Sequence, residues 1–223
     1  HQGWDAIDMS SRGSQDDFFQ NVLNGDAFLY EDSIALDSTR KFLEIRKYGQ
    51  KQTVNTGYDE AVKKFANGEA YMFFQGNWAY PMIKKINPDI DLLFMPFPAY
   101  HENQAKVVVK IDATLGVSAS CKHLEAVEQF LDYVFSKNVS EYYADKAGAY
   151  SCIKSVDVED SYAKAFTDSI RSGEFFLEEF AYETEKSDAI NALFQNFISS
   201  PQRDTEKSFL KELNDLLIQQ KGD

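Results

Sequence analysis

The 223-residue chain holds three histidines, two cysteines and thirty-six carboxylates, the groups that could do acid–base, nucleophilic or metal chemistry. His1, His101 and His123 include no pair one helical turn apart, so a histidine-based metal or acid–base site has almost no material. Cys121 and Cys152 form no Cys-x-x-Cys pair, which removes a cysteine-rich zinc site and a thioredoxin-type motif. They read as small, inert, buried thiols, and spacing does not establish a disulfide between them. Carboxylates are abundant enough to supply the two that glycoside hydrolysis needs, about 5–10 Å apart across a sugar. However, the chain has no Gly-x-Ser-x-Gly elbow, no P-loop, no His-Glu-x-x-His and no dinucleotide fingerprint. The expectation is therefore of no catalytic residue, no metal ligand and no cofactor.

The most informative chemistry is aromatic. In Gly68-Glu69-Ala70-Tyr71-Met72-Phe73-Phe74-Gln75-Gly76-Asn77-Trp78-Ala79-Tyr80-Pro81, an apolar run meets a Gly-Asn turn and then an indole at a helix start. Ligands of open α/β sheets bind beyond the carboxyl ends of strands. There, Trp78 can offer a flat apolar face to the C–H surface of a pyranose, or it can simply cap the core. Asn77 and Gln75 could bond the hydroxyls of such a ligand, and Asn77 could equally be a helix N-cap.

These residues need elements to position them. Helical and strand patterns alternate, which predicts an α/β fold. Helices are expected over 14–23, 33–48, 58–66, 78–86, 123–136 and 140–146. Leu36, Phe42, Leu43 and Ile45 share a side in the second of these, and Ala126, Phe130, Leu131 and Val134 in the fifth. Short apolar or β-branched runs predict strands over 70–74, 91–97 and 107–118. From Glu159 onward the pattern is wholly helical, with segments near 161–172, 185–198 and 205–219. Irregular stretches at 99–105 and 149–157 bracket the central part, as loops or as crossings between two lobes.

Formal charge is −13 at pH 7, which repels phosphate backbones and anionic lipid; nucleic acid is not an expected partner. The charge suits a neutral ligand and is also an ordinary solubility device. No stretch approaches the roughly 20 apolar residues of a membrane span. Nor does the start, His1-Gln2-Gly3-Trp4, carry the basic and apolar regions of a signal peptide.

From Tyr58 to Ile153 the chain resembles the extracellular solute-binding proteins of ABC sugar importers, the class that includes the maltose-binding protein. Ordered phrases carry the likeness: Phe65-Ala66-Asn67-Gly68-Glu69-Ala70, Gln75-Gly76-Asn77-Trp78-Ala79 and Asn87-Pro88-Asp89. They continue with Phe94-Met95-Pro96-Phe97-Pro98, Ile111-Asp112-Ala113, Val117-Ser118-Ala119-Ser120 and Glu125-Ala126-Val127-Glu128-Gln129-Phe130-Leu131, ending at Tyr143-Ala144-Asp145 and Ile153-Lys154. The resemblance implies part of a two-lobed, type II periplasmic-binding-protein-like fold with the family's N-terminal part absent. Residues 1–104 would belong to the second lobe and 105–156, with its crossing segments, to the first, while 157–223 return to the second. It implies a non-enzymic receptor, a monomer when intact, that captures a carbohydrate and delivers it to ABC permease subunits. Its place would be extracellular, as a membrane-anchored lipoprotein or a periplasmic protein.

Trp78 would be the stacking platform of such a receptor and Asp112 a polar residue facing the cleft, or else a turn or capping residue. Trp4 stands where the family approaches its ligand and is a second stacking candidate. Tyr150 and Tyr182 are further aromatic candidates, as rim or as packing. The competing classes are a hydrolase with a carboxylate pair, a receptor for a non-sugar solute, and a pure interaction module.

Overall fold

The computed structural model describes residues 2–12, 17–50, 55–97, 106–110, 114–156, 161–173, 175–177, 184–200 and 205–218. In chain order the helices are α1 (Gln2–Arg12), α2 (Phe18–Asn24), α3 (Ser33–Arg46), α4 (Tyr58–Ala66) and α5 (Tyr80–Ile86). They continue with α6 (Leu124–Val134), α7 (Lys137–Ala147), α8 (Ser161–Ser172), α9 (Thr184–Ser199) and α10 (Glu206–Ile218). Two strands, β1 (Val107–Val109) and β2 (Phe175–Leu177), pair in parallel with Val107 opposite Phe175. Among the described residues this is the one sheet.

Two compact units emerge, each built from separated stretches of chain. The first comprises 1–56, 96–110 and 173–223, and the second 57–95 and 111–172. Within the second unit, 57–95 packs with 111–172. The Phe94 ring lies 5.3 Å from that of Phe166, and Asn77 bonds to Gly148.

Helical periodicity builds the first unit. α9 presents Ile190, Leu193, Phe194 and Phe197, and α10 presents Phe209, Leu210, Leu213 and Leu217; each set forms one stripe at helical spacing. The stripes close on Trp4, Val22, Leu29 and Ala35. Phe209 stacks on Phe197 at 4.1 Å between centroids and meets Phe194 edge-on at 5.0 Å. Among its buried polar side chains, Asn214 accepts the backbone N–H of Leu29 at 2.9 Å, joining positions 185 apart in sequence. Asp32 caps α3 by accepting the N–H of Ala35 at 2.8 Å.

A buried ion cluster ties α1 to the start of α3. The Arg12 guanidinium donates to both carboxylate oxygens of Asp8 and to Asp32, and lies over the Phe18 ring at 3.8 Å. Burial pushes the Asp8 carboxyl up to about 6, with Arg12 pulling it back only in part. Burial also works against the charge of Arg12, but the Asp8 and Asp32 carboxylates outweigh it and raise its pKa.

In the second unit Val62 and Ala66 of α4 pack on Ala79 and Ile83, with Phe65, Phe73, Ile90 and Leu92 around them. The segments predicted as strands at 70–74 and 91–97 have no ladder partner among the described residues and carry no strand structure. The side-chain alternation is nevertheless present at 91–95, where Leu92 and Phe94 are half-buried while Asp91, Leu93 and Met95 are exposed. Such alternation specifies a face, but only pairing makes a strand. The predicted strand at 107–118 is confined to 107–109, with 111–113 outside the described residues.

The remaining differences are local. α1 is longer than anything the first twelve residues predict, and β2 interrupts the wholly helical reading after Glu159. Three residues are too few to display a period. Both thiols are free, with Cys152 exposed and Cys121 half-buried, so the expectation of buried thiols is corrected. Among the described residues no helix is long and apolar enough to cross a membrane.

Candidate ligand-binding site

The turn before α5 is shaped by one glycine. A Cβ on Gly76 would lie 2.0–2.3 Å from three atoms of the Trp78 six-membered ring, so the indole rests directly against the Gly76 backbone. The N–H of Ala79 closes the turn on the Gly76 carbonyl at 3.1 Å, and a 3-10 turn over Asn77–Ala79 leads into α5. Pro81 stands in the first turn of α5, where its missing N–H leaves no helical bond unmade. Trp78 remains 41% exposed while Ala79 beside it is buried. The indole is thus held on one side and open on another, as a stacking platform requires.

A second segment arrives from the end of α7. Gly148 adopts the left-handed conformation, φ +62°, and caps the helix with its N–H on the Ala144 carbonyl. Its own carbonyl accepts the Asn77 side-chain N–H. Two residues on, Tyr150 is half-buried with its ring 6.3 Å from that of Phe166. Asn77, Trp78 and Tyr150 therefore share one neighbourhood of the second unit, and Gln75 adjoins it. The Gln75 side chain turns back onto the chain, accepting the Gly76 N–H at 3.1 Å. Asn77 makes no side-chain N-cap bond; its amide spans to Gly148 instead.

The other candidates lie elsewhere. Trp4 is 1% exposed in the core of the first unit, where its indole N–H donates to Thr39 at 2.9 Å and its ring meets Phe19 and Phe194. A ring so enclosed presents no stacking face, which corrects the reading of Trp4 as a platform. Asp112 and Tyr182 lie outside the described residues. Sequence reasoning missed Gly76, Gly148 and Phe166. The Gly-Asn turn is visible in the sequence, but nothing local shows that it meets a helix end 71 positions away.

The Asn77 bond thus ties the turn that carries the Trp78 indole to the loop that carries the Tyr150 phenol, and aromatic faces of this kind stack on neutral polar ligands. Among the described residues no cluster of three or more His, Cys, Asp or Glu could hold a metal ion.

Comparison with known proteins places this arrangement. Residues 4–140 match the family model described as bacterial extracellular solute-binding protein. The chain belongs to that family. A curated relative, the multiple sugar-binding protein of Streptococcus mutans, is 29% identical over 136 residues, covering 61% of this chain and 31% of the relative. Two solved structures align with 96% of this chain and 57% of their own, each with a TM-score of 0.69. They are a chitin oligosaccharide binding protein, 16% identical, and a Bacillus licheniformis sugar transporter solved with stachyose, 17% identical. The fold of this solute-binding protein is thus the α/β binding-protein fold expected from its sequence. The chain spans about a third of the curated relative's length and little more than half of each solved structure. All three relatives are named for binding or transport rather than for catalysis.

Proposed function

We propose that this protein is the carbohydrate-capturing component of an ABC importer, a non-catalytic receptor that holds an oligosaccharide and delivers it to permease subunits in the membrane. The observation that carries the reading is the half-exposed Trp78 ring seated on Gly76 beside the Tyr150 loop. Such a ring stacks on the apolar face of a sugar, while neighbouring amides satisfy its hydroxyls. The sugar-binding names of the relatives support the ligand class. Tyr150 forms the rim of the site, and Gln75 is within reach of a ligand on Trp78. Asp112 and Tyr182 remain proposed contacts on the strength of the resemblance. The family's extracellular setting supports a place outside the cytoplasmic membrane, by a lipid anchor or free in a periplasm. Sugar contacts favour a closed state by their differential affinity for it, and the permease engages that state.

Isothermal titration calorimetry of the full-length protein against oligosaccharides, stachyose and chitin oligomers included, tests the reading. Binding at micromolar Kd or tighter, lost in Trp78→Ala, is the expected result. Binding that survives Trp78→Ala unchanged would move the site elsewhere, and the absence of binding by any sugar would redirect the search to other solutes. Product analysis of the same mixtures separates receptor from hydrolase, since turnover would overthrow the non-catalytic assignment.

A further inference from the structure

We infer that Asn77 is a positioning residue rather than a sugar ligand. Its bond to Gly148 is the latch that holds the Trp78 turn and the Tyr150 loop together as one binding surface. The inference rests on the proposed stacking role of Trp78 and specifies how that surface is assembled.

Four observations carry it. The Asn77 side-chain N–H is committed to the Gly148 carbonyl, joining positions 71 apart in sequence. Gly148 fits its place for two independent reasons. Its φ of +62° is a conformation that side-chain-bearing residues rarely adopt, and a Cβ there would lie 2.9 and 3.0 Å from two Pro81 ring carbons and 3.1 Å from the Asn77 carbonyl oxygen. The loop therefore lies in van der Waals contact with the turn as well as bonded to it. The third observation is the support under Trp78, whose ring occupies the space a Gly76 side chain would fill.

The fourth is a row of aromatic rings that runs from the turn to the loop by another route. Tyr80, three residues after Asn77, lies 6.1 Å from Phe94; Phe94 lies 5.3 Å from Phe166; Phe166 lies 6.3 Å from Tyr150. Ring packing thus joins the base of the Trp78 turn to Tyr150. The Asn77–Gly148 bond closes the circuit between the same two segments. The tilted ring contacts at 6.1 and 6.3 Å sit at the long end of the range for aromatic pairs and constrain the loop less closely than a direct bond does. A hydrogen bond has a narrow range of distance and angle. The latch therefore sets the separation of the two aromatic groups that a sugar must meet together.

The experiment combines ligand affinity with a ligand-free report on Trp78. In the full-length protein labelled with 5-fluorotryptophan, Trp4 and Trp78 each give a fluorine resonance, assigned with Trp78→Phe. Asn77→Ala is expected to shift or broaden the Trp78 resonance before any sugar is added, and to weaken the best-bound oligosaccharide about tenfold, the equivalent of one typical hydrogen bond. Gly148→Ala should do the same through the other partner. Weakened binding with the sugar-free Trp78 resonance unmoved would make Asn77 a direct sugar ligand and overturn the latch. An unmoved resonance with unchanged affinity would also overturn it. Should Asn77→Ala fail to fold by circular dichroism, Asn77→Ser supplies the same two readouts. Failure of the stacking reading is separately visible: no sugar would bind the parent, or Trp78→Ala would bind as well as the parent, while the resonance would still report on the latch.

Discussion

The two units spend their apolar side chains differently. In the first, α9 and α10 enclose a dozen buried apolar side chains around Phe194 and Phe209, and even the largest, Trp4, is covered. In the second, the corresponding buried cluster among the described residues is Val62, Ala66, Ala79 and Ile83. There, large apolar side chains face outward: Tyr71, Met72, Leu93 and Met95 on the extended segments, and Leu124, Phe130 and Tyr133 on α6. α6 buries none of its residues although its sequence is strongly amphipathic. The first unit thus encloses most of its large apolar side chains, whereas the second leaves many of them exposed. Burial by itself cannot distinguish a side chain waiting for a partner from one exposed for a ligand. Trp78 is singled out by the Gly76 seat beneath it rather than by its exposure.

The contrast breaks most visibly under truncation. Phe209→Ala removes a ring stacked on Phe197 and edge-on to Phe194, and should cost about 3–5 kcal/mol of unfolding free energy. Phe130→Ser, on the exposed face of α6, should change stability by no more than about 0.5 kcal/mol and improve solubility. Urea unfolding of the two variants measures both. Equal losses would mean that the α6 face is covered in solution and that the second unit is as well packed as the first.

A smaller effect sharpens the account of the first unit. Asp8 is buried, and its folded pKa of about 6 lies above the ordinary carboxylate value of 3.8. The folded state therefore holds a proton through the window from about pH 4 to 6 that the unfolded chain has released. Linkage makes this group's contribution rise as pH falls through 6, the reverse of the usual acid-labile carboxylate. The groups facing it are Arg12 on its own helix, and Asp32 and Ser38 from the segment that leads into α3 and from α3 itself. Relative to Asp8→Asn, the parent should gain about 1 kcal/mol between pH 7 and pH 5. Urea midpoints of both proteins at the two pH values give the difference. A difference of the opposite sign would show that the Arg12 pairing, not burial, governs Asp8.

Legibility in the sequence followed the range of the interactions. α4 lies over the predicted residues, and α3, α9 and α10 fall within two residues of them, because their apolar periodicity is a local signal. The strands at 70–74 and 91–97 were legible only as faces, since a ladder partner is not a local property. The site divides in the same way. Trp78 stood out by its place after a Gly-Asn turn, whereas Trp4, an equally prominent indole, is consumed by a core whose walls come from α2, α3 and α9. The Gly76-Asn77 turn is the local sign of the Trp78 seat, whereas the burial of Trp4 rests on distant partners alone.

That difference between the two indoles sets a further contrast in stability. Trp78 keeps 41% of its surface exposed, and part of what it covers is the backbone of Gly76. Truncating it should cost about 1–2 kcal/mol, because a large part of its apolar area is already in contact with water. The same change in Trp4 would open a cavity among Phe19, Phe194 and Thr39 and should cost about 3–5 kcal/mol. Unfolding curves of Trp78→Ala and Trp4→Ala, measured beside the parent, give both numbers. If Trp78→Ala proves as costly as Trp4→Ala, the indole is a structural prop and its exposed face is incidental. If it costs clearly less, the sequence maintains a large half-exposed ring that adds little to the stability of the fold, and ligand stacking is the physical use that remains.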